Sequence, residues 1–479
     1  MNFELNEDQA ALAESLSRLL ADRYGFEKRR ALTASGAAHD EKTWAGLAEL
    51  GLTALPVPEA LGGFGGGARD LLPAMQAFGR SLSMEPFLAS AVLAGTALRL
   101  GADEAMQTRL LPGMASGEIV SAWAHDEPAG RHAPLWVETR AERKDGGWKL
   151  DGIKSNVPAG GLARYFVVSA RIAGAPADAN GCALFLVDAK DAGVALREFR
   201  LVDDTAAGEL VLTQAAAQPL ANPEDSTRTR LAIQGTVAAG IAAVCADMSG
   251  AAQAAFDLAM DYLRTRKQFG RLIGENQALR HRASEMLVSL EMARSMAMAA
   301  AVAADDASAE DSAPDLHRAK LSVARNARNV ALGAIQLGLF GFLCFAFLLL
   351  EHLRIHFGLV HRFAEGVEQG GADVAGHLHG LAGTRHQLTG QRGHGGLAVG
   401  AGDGQHLRCV AKAFAQILQT GGKQAQLTAL PQAGRTGGVH HRRHHLGRQT
   451  GAAEHSPDGR AVHQRCTERA TDELHIRPF

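Results

Sequence analysis

Arg266, Gln268 and Phe269, with Gln277 eight residues beyond Phe269, form the densest group of side chains able to do binding chemistry in this chain. They lie in the stretch Arg264-Thr-Arg-Lys-Gln-Phe-Gly-Arg-Leu-Ile-Gly-Glu-Asn-Gln-Ala-Leu-Arg-His-Arg282. The Arg266 guanidinium offers a fork of fixed donors that suits a phosphate or pyrophosphate, and Phe269 is placed to pack on an aromatic ring system. The same residues also fit a solvated basic helix end with Phe269 in the core. Spacing alone leaves both readings open.

Two long helical patterns flank this stretch. Upstream, Ile241, Val244, Cys245, Met248, Ala252, Phe256, Ala259, Met260 and Leu263 recur at three- and four-residue steps, and downstream Leu279, Ala283, Met286, Leu287 and Leu290 do the same. A compact loop with Gly270 and Gly274 joins them. Nearer the N-terminus, Leu12, Leu16, Leu19 and Leu20 predict an amphipathic helix, with Asn6 and Gln9 as its cap. Further helices are expected over residues 43–50, 71–83 and 87–101. The glycine cluster between Gly62 and Gly67 looks superficially like a phosphate loop, but no strand feeds it and Pro56 and Pro58 precede it, so a turn between helices is expected.

Past Ser121 the period becomes strand-like. Residues 136–143 and 148–150 flank Lys144-Asp145-Gly146-Gly147, whose Asp-Gly step signals a hairpin. Residues 165–169, 182–187 and 209–212 are further short apolar runs. Helical periodicity resumes near residue 227, and Ser312-Ala-Pro314-Asp315 reads as a helix start. Leu316, Ala319, Val323, Ala327, Val330, Ala334 and Leu337 mark that helix's buried face.

Composition divides the chain. All 4 Trp and 3 Tyr precede residue 338, whereas 15 of the 20 His follow it. A formal net charge of −2 gives no electrostatic case for nucleic acid. The 5 Cys are scattered without a Cys-x-x-Cys pair, and the acidic N-terminus lacks the pattern of an export signal, so a reducing cytoplasm is expected. The uncharged run 337–350 falls short of the ~18 residues that a membrane span needs, so no span is expected there.

Arg266-Lys-Gln-Phe-Gly270 followed by Gln277 resembles the flavin-contacting segment of the acyl-CoA dehydrogenases. The resemblance extends to residues 44–65, to Glu127-Pro128-Ala-Gly130 and to Asp151-Gly152-Ile-Lys154, and so covers residues 1 to about 337. It implies an α+β, mainly α architecture: an N-terminal helical domain (1–120), a middle β-barrel (121–225) and a C-terminal helical bundle (226–337) that is incomplete here. It also implies FAD, an acyl-CoA substrate, an electron-transfer flavoprotein or similar acceptor, and a homo- or hetero-oligomer, because the segment from Arg266 to Gln277 reaches across a subunit interface in this family. Carried over position by position, Arg266, Gln268, Phe269, Gln277 and Gln336 are the cofactor-binding residues.

The chemistry further requires a carboxylate base at the substrate α-carbon and donors to the thioester carbonyl. Here the sequence departs from the family. Asn156 stands where a flavin-packing aromatic is usual, and Pro158 where a hydroxyl contacts the flavin. The His-Gly-Gly loop expected after Gln336 is missing, and the position where some members carry the base is Gly240, followed by Ile241. The base is therefore unassigned, and a non-catalytic or degenerate subunit of a similar assembly is the alternative function. In the tail, 338–479, His440, His441, His444 and His445 raise metal binding as a rival to a solvated basic segment. The abrupt change inside a helical pattern predicts instead that the tail is an out-of-frame or fused, largely disordered addition that does not complete the bundle.

Overall fold

A computed structural model describes residues 7–338, apart from His132, Phe269 and residues 307–308. The tail beyond Gly338, with His440, His441, His444 and His445, lies outside the described residues, as do Asn6 and Phe269.

The chain begins with α1 (Glu7–Arg23), α2 (Phe26–Ser35), α3 (Glu41–Glu49), α4 (Ala68–Ser81), α5 (Gly95–Gly101) and α6 (Glu104–Ala115). Leu16 and Leu20 of α1 are buried, and Leu12 and Leu19 pack at the margin of the same core, which is the face the leucine spacing predicts. The start of α3 is set by Asp40, whose carboxylate accepts from the Lys42 N–H and the Thr43 hydroxyl. Between α3 and α4 the glycine cluster forms a turn, as expected. The N–H groups at the start of α4 already have partners, so no phosphate seat is left open: Gly67 N–H donates to Asp70, and Ala68 and Arg69 N–H donate to Asp305. A π-helical turn, Leu88–Ala94, runs directly into α5.

The β domain comprises β1 (Ser121–Ala124), β2 (Arg140–Lys144), β3 (Gly147–Pro158), β4 (Tyr165–Arg171), β5 (Cys182–Asp188), β6 (Val194–Arg200) and β7 (Ala206–Pro219). Pairings β4 with β2, β2 with β3, β3 with β7, β7 with β5 and β5 with β4 close a ring, with β1 and β6 attached outside it. Closure leaves these five strands no free edge. Alternate residues, among them Leu150, Val157, Phe166, Val168, Phe185 and Leu210, point into the barrel. Asp145 (φ 54°) and Gly146 (φ 80°) make the two-residue turn that the Asp-Gly step predicts. The expected strand over 136–143 starts only at Arg140, because Glu127 takes the N–H groups of Glu138 and Thr139 that a ladder would need.

After the barrel come α7 (Ser226–Thr265), the hairpin of β8 (Lys267–Gln268) and β9 (Arg271–Leu272), α8 (Gln277–Asp306) and α9 (Ala309–Leu337). At 40 residues α7 is about 60 Å long. It crosses α4 at near backbone contact, and α1, α4, α7, α8 and α9 share one apolar core. A second core joins α5, α6 and the N-terminal part of α7 to the outer face of the barrel through Leu98, Leu111, Val167, Leu184, Leu220 and Ile233. Arg29 donates to Asp203 O, and Arg200 to Ala37 O, fixing the first helices to the β6–β7 turn. By length and apolarity alone α7 and α8 would each qualify to cross a membrane, but 61% of the most apolar window of α7 is buried within the protein. In α8 only 33% is, and Leu287, Val288 and Met292 lie exposed on its outer face.

Candidate functional site

The stretch between α7 and α8 is a built hairpin. Arg266 N–H donates to Tyr262 O, ending α7, and the chain then pairs Lys267 with Leu272 and Gln268 with Arg271. Gly270 turns the corner at φ 82°. Ile273 N–H returns to Arg266 O, and Gly274 sits so close to α7 that an added Cβ would lie 2.7 Å from Leu263 O. Asn276 then starts α8, held by Arg271 at 2.9 Å. Arg266, Gln268 and Gln277 are exposed and make no side-chain hydrogen bond within the described residues. Gln336 lies at the C-terminal end of α9 and accepts from Arg282 at 2.7 Å, which brings that helix end beside the first turns of α8. Arg266, Gln268, Gln277 and Gln336 thus converge on one end of the helical bundle. Arg264, Lys267, Arg271, Arg280 and Arg282 make that end basic, with Asp261 and Glu285 pairing Arg264 and Arg282.

The two β-domain segments singled out by resemblance are joined by a buried polar cluster. Lys154 Nζ donates to Glu127 Oε1 at 2.7 Å, to Ser169 Oγ at 3.0 Å and to His125 O at 3.2 Å. Its three protons are all used, which is the state of an ammonium. Glu127 Oε1 also accepts from the Thr139 N–H and hydroxyl, and its Oε2 from the Glu138 N–H. Burial opposes the charge on Glu127, yet Lys154 beside it holds the carboxyl below its ordinary range. Burial draws the Lys154 ammonium down while Glu127 supports it, and burial with the neighbouring ammonium pushes His125 to about 4, so its ring is neutral. Main chain ties the same segments, because Ser155 N–H donates to Asp126 O at 2.8 Å. Asn156 follows at φ 51° in a bulge of β3, and Pro158 ends the strand opposite Ala207 without an N–H to offer.

Sequence reasoning finds the Glu-Pro and Gly-x-Lys frames but not that Glu127 and Lys154 pair across 27 residues, nor that Ser169 and His125 extend the pair. The one legible signal is an isolated Lys in a strand pattern. On α7, Gly240 faces the π-helical turn, and an added Cβ there would lie 2.8 Å from Leu93 Cδ2. A carboxylate side chain at that position therefore has no room unless Leu93 moves.

Comparison with known proteins matches residues 6–118, 122–215 and 231–343 to the N-terminal, middle and C-terminal domains of acyl-CoA dehydrogenases. The L-prolyl-[peptidyl-carrier protein] dehydrogenase of Pseudomonas fluorescens is 28% identical over 61% of this chain and 78% of its own. The probable acyl-CoA dehydrogenase YngJ of Bacillus subtilis is 27% identical over 63% of this chain and 80% of its own. The solved structure of PigA with FAD and proline shares the fold at a TM-score of 0.64 and 20% identity, covering 76% of this chain and 99% of that one. With all three domains present in order, the chain belongs to the acyl-CoA dehydrogenase family.

Proposed function

We propose that this chain binds FAD and uses it to dehydrogenate an acyl-CoA thioester between the α- and β-carbons. The observation that carries the reading is the basic hairpin of unpaired donors, Arg266, Gln268 and Gln277, in a chain with all three family domains. The donor set fits a dinucleotide's pyrophosphate: a guanidinium binds two phosphate oxygens at once, and two carboxamides add neutral donors. On the barrel side Pro158 brings no donor and Asn156 no ring, so the fit rests on the bundle-end hairpin. Bound FAD supplies the hydride acceptor, in keeping with PigA, a neighbour of the same fold that is solved with FAD and proline. The chain's own residues bind and orient it: Arg266 neutralises phosphate charge, and Gln336 shares the bundle end through Arg282. Outward transfer of electrons is assigned to an electron-transfer flavoprotein or similar acceptor. Self-association fits the apolar outer face of α8, because a second copy removes Leu287, Val288 and Met292 from water. The test is direct: the purified full chain, saturated with FAD and dialysed, retains a flavin absorption band if the reading is right, and a colourless protein ends it.

A second reading, a non-catalytic member of such an assembly, is favoured by Gly240 and the closeness of Leu93 to it. A panel of acyl-CoA thioesters with an artificial electron acceptor separates the two. Loss of a positioned base costs about 10²- to 10⁴-fold, so turnover at an ordinary dehydrogenase rate removes the non-catalytic reading.

A further inference from the structure

Residues 24–40, which carry α2, are held mainly by polar contacts. Arg29 is the one fully buried residue of α2, and Leu32 packs only at the margin of the core. Arg29 Nε donates to Leu82 O at 2.8 Å and its Nη2 to Asp203 O at 2.7 Å, with Asp204 at 3.9 Å. From the barrel, Arg200 Nη2 donates to Ala37 O at 2.8 Å. Both ends of the segment then meet on one carboxyl group, because the Tyr24 hydroxyl and the Asp40 N–H both donate to Glu85 Oε1. The other oxygen of Glu85, Oε2, is buried and has no partner. The groups around it do not neutralise a carboxylate. Burial and Glu85 itself push the Tyr24 phenol up, so it stays neutral. Burial opposes the charge on Asp40, yet the Thr43 hydroxyl and the Lys42 and Thr43 N–H groups hold it below its ordinary range, which adds a like charge. His39 is pulled below 6.5 by burial. Burial draws Arg29 down while Asp204 and Asp203 support it, and Arg23 pairs with Asp22. A carboxylate with one bare buried oxygen and no cation against it costs far more than the neutral acid.

We infer that Glu85 is a pH-sensitive latch between the first helical domain and the barrel. As the neutral acid it clips Tyr24 to Asp40 and keeps α2 seated on the turn at residues 201–205. As the carboxylate it releases that segment, because lifting α2 is the way for water to reach Oε2. A segment with so little apolar burial opens far more readily than the cores beneath it. The sign follows from the two states. Seated, the group is raised by burial from 4.5 to about 7; lifted, it is hydrated and ordinary. The seated state therefore holds the proton more tightly, so the latch is fully set below pH 4.5, weakens as pH rises, and is released above about 7. The device needs no cofactor.

Hydrogen exchange of the full chain, read by mass spectrometry between about pH 5 and 7.5 and corrected for the intrinsic rate at each pH, tests this. In wild type, protection of α2 is expected to fall about 10- to 100-fold over that range, together with that of residues 201–205, while β4 and β5 keep theirs. Equal protection at both ends of the range overturns the inference. So does a loss shared by β4 and β5, which is global unfolding, or a loss in α2 that leaves residues 201–205 unchanged. Glu85→Gln cannot ionise and is expected to show a flat profile; a profile that repeats wild type overturns the inference. If that variant does not fold, Tyr24→Phe decides. It removes a donor that favours the carboxylate, so the pH above which protection stops falling should move up from about 7, and an unmoved profile overturns the latch.

Discussion

Gly79 of α4 and Gly250 of α7 lie in each other's helix surface: a Cβ on Gly79 would sit 1.8 Å from Asp247 O, and one on Gly250 1.9 Å from Gln76 O. The two helices meet backbone to backbone, and only hydrogen fits at either position. We expect Gly250→Ala and Gly79→Ala each to destabilise the protein by about 1–3 kcal/mol through overpacking. Because both force the same two helices apart, the double variant should cost less than the sum. Gly46→Ala is the control. It places its methyl in ordinary contact with Leu19 within a helix, and alanine's propensity makes it neutral or stabilising by up to ~1 kcal/mol. Thermal unfolding of the variants checks all of these.

Glu85 predicts an unusual pH dependence. It is buried; its Oε1 accepts from the Tyr24 hydroxyl and from Asp40 N–H, and its Oε2 has no partner. Burial raises it from 4.5 to about 7, against the lowering effect of those hydrogen bonds. The folded state therefore holds the proton more tightly than the unfolded one. Its contribution is fully present below pH 4.5 and is lost as pH rises through about 7. We expect Glu85→Gln, which cannot ionise, to gain on wild type between pH 5 and 8 by on the order of 3 kcal/mol at most. Unfolding at the two pH values reads this directly, and parallel pH profiles for the two proteins would refute it.

Arg266→Ala is expected to weaken FAD by about 1.5–3 kcal/mol, the worth of a hydrogen bond to a charged group, and Gln277→Ala by about 1 kcal/mol. Fluorescence titration with FAD measures both. Unchanged affinity in Arg266→Ala would show that the hairpin does not hold the pyrophosphate.

Val288 is 65% exposed at the centre of the apolar face of α8. Val288→Glu places a charge where a second copy would pack, so the mass in solution by light scattering should fall while the far-ultraviolet spectrum is unchanged. A wild-type mass equal to one chain would remove the self-association proposal.

Much of the fold is legible in the sequence because local chemistry decides it. The leucine spacing of α1, the Asp145-Gly146 turn and the turn through Gly62–Gly67 each follow from a few neighbouring residues. The bundle-end hairpin is legible as a loop with two glycines between long helical patterns, though not as paired strands. What sequence reading misses depends on distant partners. Nothing near Gly79 announces Gly250, and a helical glycine reads as a weak point until the crossing helix is seen. Trp136 to Thr139 carry strand-like residues, yet Glu127 captures the N–H groups of Glu138 and Thr139. Lys154 stands in the sequence only as part of the Asp151-Gly152-Ile-Lys154 frame, and nothing near it announces Glu127, 27 residues away, as its buried partner.

The carboxylate of Asp305, near the end of α8, receives the N–H groups of Ala68 and Arg69 and the Arg69 side chain. More than two hundred residues of chain separate the start of α4 from the group that completes it. During synthesis the first six helices therefore emerge with α4 still lacking part of its N-terminal cap, and with the face that α7 later covers open to water. The early segment has to wait, partly ordered, until the last helices leave the ribosome. A chain interrupted before Asp305 would be a target for chaperones or proteases even though its opening hundred residues are all present.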